Sequence, residues 1–233
     1  VVRFVKEHGR SCNVAVMEQK IRNMIQWRIS NGIDSILDDY TPPPEFEYCP
    51  IAILDHCDRE GDPIYIERTG SFDMMYLYNL LGEEEMIQHA IYIREFITTT
   101  TRGKWQEQVF GSSMKKKKKL KQFTILSDVH GFNRKQHMHP KILSLVGNKV
   151  SRIIQDNYPG YTKRIIVIRP PAIASLAWSL FQPFLDKNIK KTITFCKPNT
   201  EDYRKILEAY IEPQHLPPIL YPNVGKGAAA MGF

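Results

Sequence analysis

The chain has 233 residues, 42% of them hydrophobic and 11% aromatic, enough for one large core or a main domain with a small helical appendage and too apolar for a disordered chain. Its formal charge is +7, but six lysines stand at Lys115–Lys119 and Lys121, which leaves about +1 for everything else. The basicity is therefore local, and the chain lacks the spread of Lys and Arg among aromatics that marks a general nucleic-acid surface. The lysine run reads either as a solvated loop or as a contact to anionic lipid head groups, where each lysine contributes about 1 kcal/mol. Cys12, Cys49, Cys57 and Cys196 have no paired metal spacing and are too sparse for a disulfide framework, so they read as ordinary thiols of a reducing compartment. No apolar run approaches the roughly 20 residues needed to cross a bilayer, and the first residues show no signal-peptide pattern.

In chain order, "NVAVMEQKIRNMIQWRISN" at 13–31 reads as a helix. Val14, Met17, Ile21, Met24 and Arg28 share one side, Asn13 caps the start and Gly32 ends it. "TPPPEF" (Thr41–Phe46) follows as a stiff extended linker, because three prolines remove amide donors and fix φ. It divides an N-terminal helical part, 1–45, from the main domain, 46–233.

Past the linker, strands are predicted at 62–68, 122–129, 163–169 and 191–196, where β-branched and aromatic residues concentrate. Helices are predicted between and after them at 83–101, 139–157, 173–186 and 201–211. Strands separated by helical segments imply crossovers, so the fold class is α/β with a mixed, largely parallel sheet. "IIVI" (Ile165–Ile168) is apolar at both parities, so both faces of that strand are dry. Helices on both sides satisfy this, and so do helices on one side with a lipid cavity on the other.

The helix around Ser175–Asp186 raises a similar choice. At about 100° per residue, Leu176, Ala177, Trp178, Leu180, Phe181, Phe184 and Leu185 occupy an arc of roughly 200°. A surface helix needs a stripe of roughly 100°. The excess fits a helix buried on two sides, or one that covers an apolar ligand or meets a membrane.

No catalytic constellation is found. Phosphate-loop and dinucleotide glycine patterns are absent, as is a nucleophile elbow, and "GKG" (Gly225–Gly227) lacks a flanking strand and helix. "DHCD" (Asp55–Asp58) and "HMHP" (His137–Pro140) lack a second half at metal-ligand spacing, and turn polarity explains them more simply. Asp128 and Arg169 end two predicted strands, so if those strands are neighbours the pair meets at one sheet edge, as an ion pair or with Arg169 facing a ligand head group.

Six segments then stand in a telling order: "VVRFVKEHGR" with "IQWRISNGIDSIL", "DREGDPIYIERTG", "SDVHGF", "IIQDNYPGYTKRIIVIRPP", "WSLFQPFLDKNIKKTITF" and "YIEPQHLPPILYPNVGKG". Together they resemble the CRAL-TRIO lipid-binding family, the type that includes phosphatidylinositol and phosphatidylcholine transfer proteins, over nearly the whole chain. The chain begins in mid-motif at Val1, so the resemblance implies a fragment of a longer protein with the earliest helices truncated. It also implies a sheet forming the floor of an apolar pocket, a gate helix at its mouth, and one bound lipid with no other cofactor and no metal.

By that resemblance, Phe123, Ile125 and Ser127 of one strand and Ile165, Val167 and Arg169 of the next face the lipid, together with Trp178, Phe181, Leu185 and Phe195. The phosphoinositide positions fall on His8, Gly160, Ile189 and Thr192, none of which matches the family's basic, acidic, Thr and Lys residues. Lys190 and Lys191 lie close enough to substitute for the lost lysine, and Lys115, Lys116 and Lys117 are candidate membrane contacts. Phe123 and Ile125 replace the hydroxyl-bearing positions that hold phosphatidylcholine, so a less polar guest is expected: a sterol, a fatty acid or an isoprenoid-like lipid.

The implied protein is a non-enzymatic, monomeric lipid carrier, cytoplasmic and peripheral to membranes, with anionic membrane surfaces as transient partners and no nucleic-acid partner. The alternative is a lipid-sensing, membrane-targeting module of a larger signalling protein. Replacing Lys115–Lys119 with Gln is expected to weaken binding to anionic vesicles and leave thermal stability unchanged; equal vesicle sedimentation by the two proteins leaves only the solvated-loop reading.

Overall fold

The β-branched segments pair into one five-stranded sheet. The computed structural model describes residue 3 and residues 13–48, 51–110, 122–198, 202–218 and 220. Strands β1 (Ile51–Cys57) and β2 (Pro63–Glu67) make an antiparallel hairpin. Strands β3 (Phe123–Asp128), β4 (Thr162–Ile168) and β5 (Ile193–Phe195) then follow in parallel, in the spatial order β1-β2-β3-β4-β5. Strand β1 was not predicted: its polar "DHC" end masks a preceding apolar "IAIL" run.

The helices are α1 (Val14–Ser30), α2 (Ile36–Asp39), α3 (Met74–Phe110), α4 (Arg134–His137), α5 (Pro140–Leu143), α6 (Ser151–Asn157), α7 (Ala174–Phe181), α8 (Lys187–Thr192) and α9 (Tyr203–Glu208). Asn13 caps α1, its Oδ1 accepting from the Ala15 N–H at 2.8 Å, and Gly32 beyond the far end is left-handed at φ 60°. The predicted helix from 83 has an earlier part, Met74–Leu81, begun by Asp73, whose Oδ1 accepts from the Tyr76 N–H at 3.0 Å. Gly82, at φ 84° and ψ 170°, breaks the helix between the two parts.

The linker is not simply extended. Pro44–Tyr48 forms a 3₁₀ turn and Phe46 is buried, its ring stacked on His89 with centroids 3.5 Å apart. Its apolar ring packs the segment against α3, in one cluster with Leu77 and Met86.

Side-chain alternation divides the sheet into two faces. On one, Ile64, Ile66, Leu126, Ile166 and Ile168 pack under α9 and the segment after it, through Tyr203, Leu207, Ile211, Leu216 and Leu220. On the other stand α3, α7 and the run from α5 through the π-helical turn Ser144–Val150 into α6.

Motif residues far apart in sequence meet here. Arg28, ending α1, donates through Nη1 to Glu95 Oε1 at 2.7 Å, and Tyr158 Oη donates to the same oxygen at 2.6 Å. Trp27 lies edge-on to Tyr158, with ring centroids 6.2 Å apart. The helical N-terminal part is thereby joined to α3 and to the end of α6. The Asp58–Asp62 turn closes on itself, Asp58 Oδ1 accepting from the Glu60 and Asp62 N–H groups at 3.0 and 2.8 Å. Thr124 Oγ1 donates to Asp58 Oδ2 at 2.7 Å and Lys163 Nζ to Asp62 Oδ2 at 2.6 Å, so the hairpin is fastened to β3 and β4. The acids of "DREGD" therefore hold the sheet together.

Leu126, fully buried in the central strand on the helix-covered face, is expected to cost about 2–5 kcal/mol when replaced by Ala. Urea unfolding should show that loss as a lower midpoint at unchanged slope.

Candidate functional site: an apolar cavity above the sheet

Two cross-strand rows make a floor. Tyr65, Ile125, Ile165 and Ile193 stand side by side across β2 to β5, and Glu67, Ser127, Val167 and Phe195 form the next row. Members of a row share a face because neighbouring parallel strands keep their pleat in phase. Above them lies a cavity of about 520 Å³.

One wall comes from α3, where Met86, Ala90, Ile93 and Ile97 recur at helical spacing. A second comes from Ile142, Leu145, Val146, Val150 and Ile154. The fourth side is α7 and the turn after it, through Ala174, Ala177, Trp178, Phe181 and Leu185. Leu176 and Leu180 are exposed on the opposite side, and Phe184, in the turn after the helix, is partly exposed with its ring against Gly147. The wide apolar arc of this helix thus splits into an inner sector on the cavity and an outer one on solvent.

The end of α7 is tied down by one side chain. Gln155 of α6 donates through Nε2 to the Phe184 carbonyl at 3.1 Å and accepts at Oε1 from the Asp186 N–H at 2.6 Å. Gly147 lets the Phe184 ring approach, since a Cβ there would lie 2.6 Å from Cδ2. The middle of the helix rests on β5, where Trp178 and Phe195 have ring centroids 4.9 Å apart.

Of the residues named from the sequence, Ile125, Ser127, Ile165, Val167, Trp178, Phe181, Leu185 and Phe195 line the cavity together. Phe123 does not. It shares their parity but sits at the start of β3, beyond the cavity end, packed with Ile97 and stacked on Tyr161. It therefore does not narrow the pocket. Arg169 also departs from expectation. It follows β4 at a left-handed φ of 53°, and its guanidinium turns onto buried Asp128, Nε donating to Oδ1 at 3.0 Å and Nη2 to Oδ2. Asp128 also accepts from the His130 N–H at 3.1 Å and has Arg68 Nε at 3.6 Å. A carboxylate so enclosed needs its cations, which makes Arg169 part of the sheet edge.

Lys190 and Lys191 occupy the last turn of α8, where the helix dipole favours cations, and neither lines the cavity. Gly160 borders a second cleft of about 410 Å³ between α1 and the α6 and α8 segments, and Ile189 lines both that cleft and the cavity. Lys115, Lys116, Lys117 and His8 lie outside the described residues. Among the described residues no cluster of three His, Cys, Asp or Glu is placed to hold a metal. None of their helices is long and apolar enough to cross a membrane. Burial pushes the Cys196 thiol up to about 11, so it is a poor nucleophile.

Apart from Ser127, sequence reasoning missed the polar residues of this cavity. Glu67 shares the parity of Tyr65 in "IYIE", so period-two reading of β2 was enough to place it inward. His89 and Arg94 fall among the apolar positions of α3, a pattern that reads as helix exterior until the wall is seen. Most of these groups are satisfied: Ser127 Oγ is 3.3 Å from Thr69 Oγ1, His137 Nε2 lies 3.1 Å from the Thr69 carbonyl, and Tyr65 Oη donates to Glu67 Oε2 at 3.1 Å. Burial pushes the Glu67 carboxyl above its ordinary range, with the hydrogen bonds from Tyr65 and Ser127 and the charge of Arg94 opposing.

The profile of the CRAL/TRIO domain matches residues 49–220. The chain is 27% identical over 221 residues to the Protein real-time of Drosophila pseudoobscura pseudoobscura, across 94% of this chain and 31% of that protein. It is 28% identical over 227 residues to the phosphatidylinositol/phosphatidylcholine transfer protein SFH9 of Arabidopsis thaliana, across 96% and 36%. The crystal structure of Sfh5 superposes with a TM-score of 0.63 at 13% identity, over 78% of this chain and 61% of that one. The chain spans about a third of the length of these two curated relatives.

His89 is buried beside Phe46, and desolvation lowers it from 6.5 to about 4. The folded chain resists the proton that the unfolded chain accepts, so the stabilisation is complete above about pH 6.5 and is lost as pH falls toward 4. Between pH 7 and pH 5 this residue is expected to account for about 2 kcal/mol of lost stability, and urea titrations of His89→Phe should lack that part of the slope.

Proposed function

The chain belongs to the CRAL/TRIO domain family, and on that premise we propose that it binds one hydrophobic lipid in the cavity above its sheet and moves or presents it between membranes, without covalent chemistry. The observation that carries this reading is the pair of floor rows, apolar but for Glu67 and Ser127, roofed by a helix with a second apolar sector facing outward. A volume of about 520 Å³ falls within the range of roughly 300–1,000 Å³ common for small-ligand pockets.

The energetics favour carriage over tight capture. Leaving a bilayer costs an acyl chain about 0.8 kcal/mol per methylene, and a dry apolar cavity returns a similar amount. Transfer is then near neutral, and its rate depends on opening a path. Helix α7 is the proposed gate, because it contributes one wall and is held by a short set of attachments: Gln155 and the Phe184–Gly147 contact past its C-terminal end and the Trp178–Phe195 contact at its middle. When it moves, Leu176, Leu180 and Phe184 enter the membrane surface, and Lys190 and Lys191 stand near the lipid phosphates. The carrier is proposed to act as a soluble, peripheral monomer.

A second reading is a membrane-targeting module within a larger protein. The relatives favour it to this extent: they are about three times as long as this chain. Vesicle-to-vesicle transfer by the isolated chain supports carriage, and vesicle binding without lipid extraction supports targeting.

Phe181→Asp puts a carboxylate into the cavity and is expected to lower lipid loading at least tenfold with the fold retained, as checked by circular dichroism. Leu180→Asp alters only the outer face and should leave loading intact while slowing transfer several-fold. Normal transfer by both variants counts against the gate.

A further inference from the structure

Only two charged side chains line the cavity among the described residues, Glu67 and Arg94. Arg94 lies on the wall made by α3, half-buried, between Ile93 and the Ile97 turn. Its neighbour Glu95 is turned the other way and is engaged by Arg28 and Tyr158. The Arg94 side chain makes no hydrogen bond and no ion pair within 4.0 Å among the described residues; it senses Glu67 and Tyr158 only through space. This sets it apart from Arg28, Arg164 and Arg169, each of which holds a carboxylate directly.

An unpaired guanidinium beside an apolar cavity is costly, since the ion remains charged at any accessible pH and loses hydration on the cavity side. Glu67 does not relieve it fully. Its carboxylate accepts from Tyr65 and makes no hydrogen bond or ion pair with Arg94. The polar spot in the cavity therefore holds a cation with unused N–H donors. A planar fork of donors fits a carboxylate or a phosphate monoanion in two parallel charge-assisted hydrogen bonds, and does so best where water is excluded.

We propose that Arg94 is a specificity-determining residue that binds the anionic end of the lipid, a carboxylate or phosphate, inside the cavity, with the hydrocarbon lying along the floor rows. This rests on the lipid-binding reading above and sharpens it from any apolar guest to an amphiphile that enters with its charged end toward Arg94. A sterol or other uncharged lipid leaves the guanidinium unmet and is discriminated against.

The test compares lipids that share hydrocarbon and differ in charge. Delipidated chain is titrated with oleate against oleyl alcohol, and with dioleoyl phosphatidate against dioleoylglycerol, following displacement of a fluorescent fatty alcohol. At least one anion is expected to bind tenfold or more tightly than its uncharged counterpart, and whichever pair shows the preference tells carboxylate from phosphate. Arg94→Gln should bring that ratio to within about twofold through weaker binding of the anion, and Arg94→Lys should restore part of it. Equal affinities within both pairs for the unaltered chain, or a preference that survives in Arg94→Gln, overturn the assignment and leave the lipid reading standing. Failure of every lipid to displace the probe overturns both.

Discussion

A sheet whose parallel strands advance in one direction, each joined to the next by a crossover of the same hand, must carry its connecting helices on one face. Here β2, β3, β4 and β5 advance in this way, so α3, the α5–α6 run and α7 gather on the same side. Three connections bring more helix than a floor four strands wide can pack flat beneath them. The other face is left to the segment after β5, and α9 with its following turns covers it densely through Leu207, Ile211 and Leu220. One face becomes core and the other becomes cavity for the same topological reason.

This division also explains where polar residues are tolerated. At the sheet edge, Asp128 satisfies Arg169 and the amide of His130, and at the hairpin, Asp58 and Asp62 satisfy Thr124 and Lys163. Each buried acid has a cation or several donors, as low dielectric demands. Within the cavity the rule is kept for Ser127, Thr69 and His137, and Arg94 stands outside it.

The helix rich in aromatics owes its composition to two surroundings. Trp178 and Phe181 contact the cavity while Leu176 and Leu180 meet water, and neither set alone needs an arc of the width seen in the sequence. Its attachments are short-range and few, with Gln155 supplying both a donor and an acceptor to the turn that follows. Gly147 and the π-helical turn around it shape the wall so that the Phe184 ring can lie close.

Much of the architecture was legible in the residues. Concentrations of β-branched and aromatic residues located β2 to β5, Asn13 and Gly32 bounded α1, and the excess arc of α7 called for a helix buried on two sides or one covering a ligand or membrane. The order of motifs carried the family. The resemblance implied that Ile125, Ser127, Ile165 and Val167 face the lipid, and the pleat of β3 and β4 keeps them on a common face. How far the cavity extends along that face is a matter of what lies above, so Phe123, covered by Tyr161, and Arg169, turned onto Asp128, had to await the packing. The same holds for Phe46 on His89 and for Arg94, which has no hydrogen bond or ion pair among the described residues. Local sequence determined which residues form each strand and helix and which way they face; only tertiary structure decided which of those faces meet side chains and which meet a cavity, since that depends on contacts between segments up to a hundred and more residues apart.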